Sequence, residues 1–197
     1  MRKVRVAVLI SGRGSNMEAL VKAAKAPDYP AEIALVLSNK EDAKGLEIAR
    51  ALGVRAEALA SKPFGRDRAA HERLVDERLR EAGVELVCLA GYMRLLTPYL
   101  VRRWAGRMLN IHPSLLPEFP GLDTHQRAID AGAAEHGCTV HLVTEGMDEG
   151  PVLGQARVPV LATDTEDTLA ARVLEQEHRL YPAMLAEQAR KILLSDG

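Results

Sequence analysis

The sequence predicts an α/β fold, a Rossmann-like and mostly parallel central sheet with helices on both faces. Three observations predict it. Apolar runs of strand length alternate with runs of helical spacing from the first residues onward. The connections between them are short, as in parallel βαβ units. The run Leu86-Val87-Cys88-Leu89-Ala90 has no polar residue, which suits a central strand covered on both faces.

In order, Val4 to Ile10 reads as a buried strand. Ser15 to Ala26 reads as a helix with Met17, Leu20, Val21 and Ala24 on one face. Ile33 to Leu37 is the second strand, and Ala43 to Leu52 the second helix, ended by Gly53. A short strand follows at Val54 to Ala58, then a helix from Arg66 to Ala82 closed by Gly83. After the strand Leu86 to Ala90, Thr97 and Pro98 open a short helix, threonine as cap and proline at the first position. Arg107 to Ile111 is the fifth strand. A proline-rich loop, a helix near His125 to Ala131 and two strands, Cys138 to Thr144 and Val152 to Val160, come next. The last pair can add antiparallel edges. Thr165 to about Leu194 is a terminal helix with a break expected at Tyr181-Pro182. No repeat or linker divides the chain, so residues 1–197 are expected to form a single domain.

Composition narrows the function. With 47% hydrophobic and 27% charged residues and a formal net charge of −1, nothing favours nucleic acid or an anionic membrane as a partner. Cys88 and Cys138 lie in apolar runs and read as small hydrophobes, without a zinc signature. The chain starts almost directly in a strand, so no secretion signal is expected, and no apolar run is long enough for a bilayer. The expected location is cytoplasmic.

Two segments carry chemistry. Ser11-Gly12-Arg13-Gly14-Ser15-Asn16 joins the first strand to the first helix. Ligands of open α/β sheets sit at the carboxyl ends of strands, and free N–H groups at a helix start favour an anion such as phosphate. Glycines let the backbone approach it, and Ser15 and Asn16 add side-chain donors. The dinucleotide fingerprint lacks its third glycine, replaced by Met17, and the Gly-Lys-Ser/Thr ending of the Walker loop is missing. The alternative is a tight turn with a serine cap and no ligand.

The second segment is Asn110-Ile111-His112-Pro113-Ser114-Leu115-Leu116-Pro117. Alternate residues of a strand share a face, so Asn110 and His112 project together at a ligand-binding strand end. An amide can stabilise charge developing on a carbonyl oxygen, and a histidine can move protons. Asp148, in the turn Met147-Asp148-Glu149-Gly150-Pro151, is a plausible carboxylate partner. Three other readings stand beside this one: a structural Asn-x-His; a Ser–His hydrolase using Ser114, although the nucleophile elbow is absent; and a metal site of His112, His136, His141 and Asp148, whose spacing fits no zinc motif. His136 reads as a loop residue and His141 as a strand residue.

Together these residues resemble the folate-dependent formyltransferases. Asn110 to Pro117 with Asp148 matches their active-site signature. Ser11 to Asn16, Leu89-Ala90-Gly91-Tyr92-Met93-Arg94, Pro120-Gly121-Leu122, Thr124-His125 and Glu175-Gln176-Glu177-His178 resemble the branch that acts on glycinamide ribonucleotide in de novo purine (IMP) synthesis. The resemblance implies a formyltransferase fold and transfer of the formyl group of 10-formyltetrahydrofolate, a cosubstrate, to the glycinamide amine. No metal is implied. By resemblance, Gly14, Ser15 and Asn16 hold the substrate phosphate and Glu177 its glycinamide end. Arg68, Met93, Arg94, Leu95, Leu96 and Asn110 line the folate site, and Asn110, His112 and Asp148 are catalytic. Arg13 and Asp123 depart from the family pattern, and Leu116–Pro117 is expected to be cis. The relatives that formylate methionyl-tRNA or hydrolyse the folate are expected to carry a C-terminal or an N-terminal extra domain, for which this chain shows no segment. A binding module without catalysis would not need the Asn110, His112 and Asp148 set. The partners expected are the two small molecules, with the chain a monomer or homodimer.

Overall fold

A computed structural model describes residues 1–197. The elements are β1 (Val4–Ile10), α1 (Ser15–Ala24), β2 (Ala31–Ser38), α2 (Lys44–Ala51), β3 (Ala56–Ala58), a 3-10 turn (Lys62–Phe64), α3 (Arg68–Glu81), β4 (Leu86–Leu89), α4 (Pro98–Arg103), β5 (Met108–His112), α5 (Thr124–Asp130), β6 (Glu135–Leu142), β7 (Val152–Pro159) and α6 (Glu166–Ser195). They build one seven-stranded sheet in the order β3-β2-β1-β4-β5-β6-β7. The first five strands are parallel, and β6 and β7 add antiparallel pairs as expected.

Strand alternation divides the core. Val4, Val6, Val8 and Ile10 face one layer, with Met17 and Leu20 of α1, Leu46 of α2, and Leu169, Val173 and Tyr181 of α6. Ala7 and Leu9 face the other layer, with Val75 and Leu79 of α3 and Leu100 of α4. From β1 the chain winds outward to β2 and β3, then returns to place β4 on the other side of β1. The β1–β4 boundary is therefore the topological switch point, where the loops after adjacent strands part and open a crevice.

Five expectations need correction. The terminal helix does not break at Pro182; α6 is continuous over Glu166–Ser195. Leu169, Val173, Glu177, Tyr181 and Leu185 recur every four residues on its buried face. Burial of that stripe outweighs a cost of about 3 kcal/mol for an interior proline. The strand expected at Val54 to Ala58 shortens to Ala56–Ala58, and the helix expected from Arg66 starts at Arg68, because Asp67 caps it by accepting Ala70 N–H at 3.0 Å. Thr97 stands at the start of α4, but its side chain does not cap that helix. Its hydroxyl donates instead to Glu72 of α3 at 2.5 Å, and the same carboxylate accepts the N–H groups of Thr97 and Leu100 at 2.8 and 3.2 Å. A carboxylate from a neighbouring helix has taken over the cap. Finally, His136 lies in β6 and not in a loop.

The free thiols of Cys88 and Cys138 are buried, as their apolar runs imply, and burial pushes both up to about 12. No helix is long and apolar enough to cross a membrane.

Candidate active site

The loop after β1 turns on Gly14, whose φ of 67° is left-handed backbone that glycine adopts without strain. Gly14 is also the residue preceding α1, and no side chain caps that helix. The serine-capped turn is thus not what forms. Uncapped N–H groups at the start of α1 face the crevice side of the sheet, the setting that favours an anion. Asn16, on the first turn, donates from Nδ2 to Glu177 Oε1 of α6 at 3.0 Å, while its Oδ1 is buried without a partner. Burial raises the Glu177 carboxyl above its ordinary value, and the Asn16 hydrogen bond only partly offsets this. The glycine loop and Glu177 are therefore one subsite, although 161 residues separate Asn16 from Glu177.

Asn110 and His112 sit at the carboxyl end of β5, two strands from β1. In the antiparallel register Asn110 faces His141 of β6, and His112 faces Thr139. His112 is buried, and its Nε2 lies 3.0 Å from the Phe119 carbonyl. A carbonyl can only accept, so Nε2 carries a proton. That leaves Nδ1 turned to Asp148, whose Oδ1 is 3.6 Å away. This is longer than a direct hydrogen bond and within reach of a bridging water. Asp148 is in left-handed backbone at φ 56°, and its Oδ2 accepts Gly121 N–H at 3.0 Å. The turn that carries it folds close to β6: a methyl on Gly150 would overlap the Leu142 carbonyl oxygen. The structure thus brings His112 and Asp148 together from segments 36 residues apart.

The loop between is held from below. Thr139 Oγ1 donates to Ser114 O at 2.7 Å and accepts Leu116 N–H at 3.1 Å. Gln155 of β7 donates to Thr139 Oγ1 at 3.0 Å and to Leu116 O at 2.9 Å. Leu116–Pro117 is cis, as expected. Ser114 is fully buried and donates to Glu118 O at 2.6 Å, so it is bound to its own loop and does not face His112 as a hydrolase nucleophile would.

Histidines surround His112. His136 Nε2 lies 3.2 Å from His125 Nδ1. Burial first, then the neighbouring His125 and His112, bring His136 down to about 4. Burial and His112 also lower His125, and burial lowers His141. His112, His136, His141 and Asp148 do not converge as a metal-ligand group, and no set of three or more His, Cys, Asp or Glu does so elsewhere.

The segment after β4 forms the other wall. Met93 and Leu95 are about two-thirds exposed, unusual for such apolar side chains outside a binding surface. Arg68 Nη1 reaches Leu95 O at 3.4 Å, and one Arg94 nitrogen is buried without a partner. Leu96 packs inward. Sequence reasoning missed the supports of this wall, Glu72 above all. A readable signal existed: Glu72 and Asp76 alternate with Val75 and Leu79 on one stripe of α3, where a carboxylate needs buried partners. Asp76 finds them in Arg103 Nε at 2.7 Å and Trp104 Nε1 at 2.9 Å.

Comparison with known proteins places the chain in a family. The family model described as formyl transferase matches residues 4–185. Phosphoribosylglycinamide formyltransferase of Escherichia coli is 46% identical over 93% of this chain and 86% of its own length. The trifunctional purine biosynthetic protein adenosine-3 of Gallus gallus is 48% identical over 93% of this chain, which spans 18% of that longer protein. A crystal structure of phosphoribosylglycinamide formyltransferase from Brucella melitensis is 55% identical, covers 95% of this chain and 96% of its own, and superposes with a TM-score of 0.91. A family match over nearly the whole length, a relative of similar size and a solved structure of the same fold agree, and this chain belongs to the formyl transferase family, on its phosphoribosylglycinamide formyltransferase branch.

Proposed function

We propose that this chain moves the formyl group of 10-formyltetrahydrofolate to the amine of glycinamide ribonucleotide, giving formylglycinamide ribonucleotide and tetrahydrofolate, within one formyltransferase domain spanning residues 1–197 in the cytoplasm. The observation that carries the reading is the meeting of His112 and Asp148 at the carboxyl end of β5, on the strand that also carries Asn110.

In this reading Gly14, Ser15 and Asn16 hold the ribose phosphate, and Glu177 receives the glycinamide end. Arg68, Met93, Arg94, Leu95, Leu96 and Asn110 line the folate site. The amine nitrogen attacks the formyl carbon, a new C–N bond forms, and the carbonyl oxygen becomes an oxyanion. Asn110 donates to it, an interaction commonly worth about 3 kcal/mol. His112 adds positive charge near it when both its nitrogens are protonated. That form satisfies the two acceptors it faces, the Phe119 carbonyl and the Asp148 carboxylate. Asp148 holds the imidazolium and orders a water that takes the proton from the attacking nitrogen. The bond from the formyl carbon to the folate nitrogen then breaks, and that nitrogen gains a proton. The step as written uses no metal and no covalent enzyme intermediate.

The test is incubation with 10-formyltetrahydrofolate, with and without glycinamide ribonucleotide, following folate absorbance and product mass. Formylated product that requires the amine supports the reading. Formate released without the amine, or no turnover, overturns it.

A further inference from the structure

We propose that Ser11 is a positioning residue whose hydroxyl couples the two ligand subsites, so that filling the glycine loop tightens the folate segment and the reverse. The inference rests on the functional reading above and concerns a residue which that reading leaves unused.

Ser11 directly follows β1 and leads straight into Gly12 and the turn at Gly14. Its hydroxyl also touches the opposite wall of the crevice: Oγ accepts Met93 N–H at 2.8 Å. With that lone pair taken, its proton goes to Asn39 Oδ1 at 2.5 Å. This fixes the Asn39 amide, whose Nδ2 donates to Ser61 Oγ at 3.2 Å. The Asn39 carbonyl accepts both the N–H and the hydroxyl of Ser61, at 3.0 and 3.4 Å. Ser11, Asn39 and Ser61 are all buried. One chain of hydrogen bonds therefore runs from the folate segment, through the root of the anion loop, to the ends of β2 and the segment after β3.

Position gives this chain its consequence. The folate segment is tied at its start by Ala90 N–H to Leu9 O at 2.9 Å and at its end by Glu72 to Thr97. Between these ties Met93 and Leu95 are exposed, and the Ser11 hydroxyl is the buried anchor, the other contact being the exposed one from Arg68 to Leu95 O. A ligand that orders the glycine loop fixes Ser11 and with it the Met93 amide. The ordering cost is then met once for both ligands, which is positive coupling without a change of fold. Hydrogen bonds in a water-poor site hold such a link more firmly than surface ones. Coupling between sites is reciprocal.

The experiment measures the Kd of tetrahydrofolate by calorimetry with and without saturating glycinamide ribonucleotide, a ternary complex in which no formyl group is present to react. The unmodified chain should bind tetrahydrofolate at least about fivefold more tightly when the ribonucleotide is present, at the lower end of usual coupling. Ser11→Ala should bring that ratio to about one, and Ser11→Thr, which keeps the hydroxyl, should restore it; a purely structural role would weaken both ligands and leave the ratio unchanged. Should Ser11→Ala lose its fold by circular dichroism, Asn39→Ala, which frees the other end of the same hydroxyl, carries the comparison and should lower the ratio. A ratio unchanged in the folded variant overturns the coupling alone. Failure of the unmodified chain to bind tetrahydrofolate at all overturns the functional reading and the coupling with it.

Discussion

Gly45, on the first turn of α2, is the backbone that the glycine loop rests on. It donates its N–H to Gly12 O at 3.0 Å. A methyl at this position would lie 2.4 Å from Ile10 Cδ1, 2.8 Å from Arg13 O and 2.9 Å from Gly12 O. The isoleucine tip can rotate; the two carbonyls belong to the glycine loop and must retreat by about half an ångström to reach ordinary contact. In Gly45→Ala two stability effects oppose each other. Helix propensity favours alanine by about 1 kcal/mol, and overpacking costs about 1–3 kcal/mol. The net loss is about 0–2 kcal/mol, a Tm drop of up to about 8 °C in a chain of this size. Binding has no such compensation. A loop withdrawn from a phosphate forfeits a hydrogen bond to a charged group, about 1.5–3 kcal/mol, so KM for glycinamide ribonucleotide should rise about 10- to 100-fold. Steady-state kinetics with each substrate varied in turn reads this, with exposed Glu47→Ala on the same helix as the control. The folate KM should move much less. An unchanged ribonucleotide KM in a folded Gly45→Ala protein refutes the reasoning.

Asp148→Asn should cut turnover by orders of magnitude while tetrahydrofolate affinity stays near normal; near-normal turnover removes Asp148 from the mechanism. Tyr181, fully buried, donates to the Leu89 and Leu109 carbonyls at 2.8 and 3.2 Å, so Tyr181→Phe should cost about 1–3 kcal/mol, seen as a Tm lower by about 2–12 °C. Unfolding in urea should show stability falling as pH drops from the ordinary histidine range toward 4. His136 titrates near 4 when folded, and burial also lowers His71, His125, His141 and His178, so the unfolded chain binds more protons across that window. His136→Gln should flatten part of this slope; an unaltered slope would remove His136 as a contributor.

Much of the fold was legible because strand and helix periods are local. Successive residues of β1 face two packed layers, as its nearly unbroken apolar run implies, and the glycines at positions 53 and 83 end their helices at positive φ. The break expected at Pro182 was misread for a reason of scale: proline's cost is local, while the apolar stripe that outweighs it is buried against α1, α5 and several strands of the sheet. For Glu72 the stripe on α3 signalled burial, but its role as a cap for α4 depends on two helices meeting side by side, which no window of sequence contains.

By itself the sequence determined the alternation of elements, the glycine loop at a strand end and the shared face of Asn110 and His112, because each follows from backbone periods and residue shape within a few positions. Only tertiary structure decided that Asp148 turns back to His112, that Asn16 meets Glu177, and that the Ser11 hydroxyl spans the crevice to Met93. Those pairings depend on strand order across the β1–β4 switch and on the return of β6, and so on how the whole sheet buries its apolar surface rather than on any residue's neighbours in the chain.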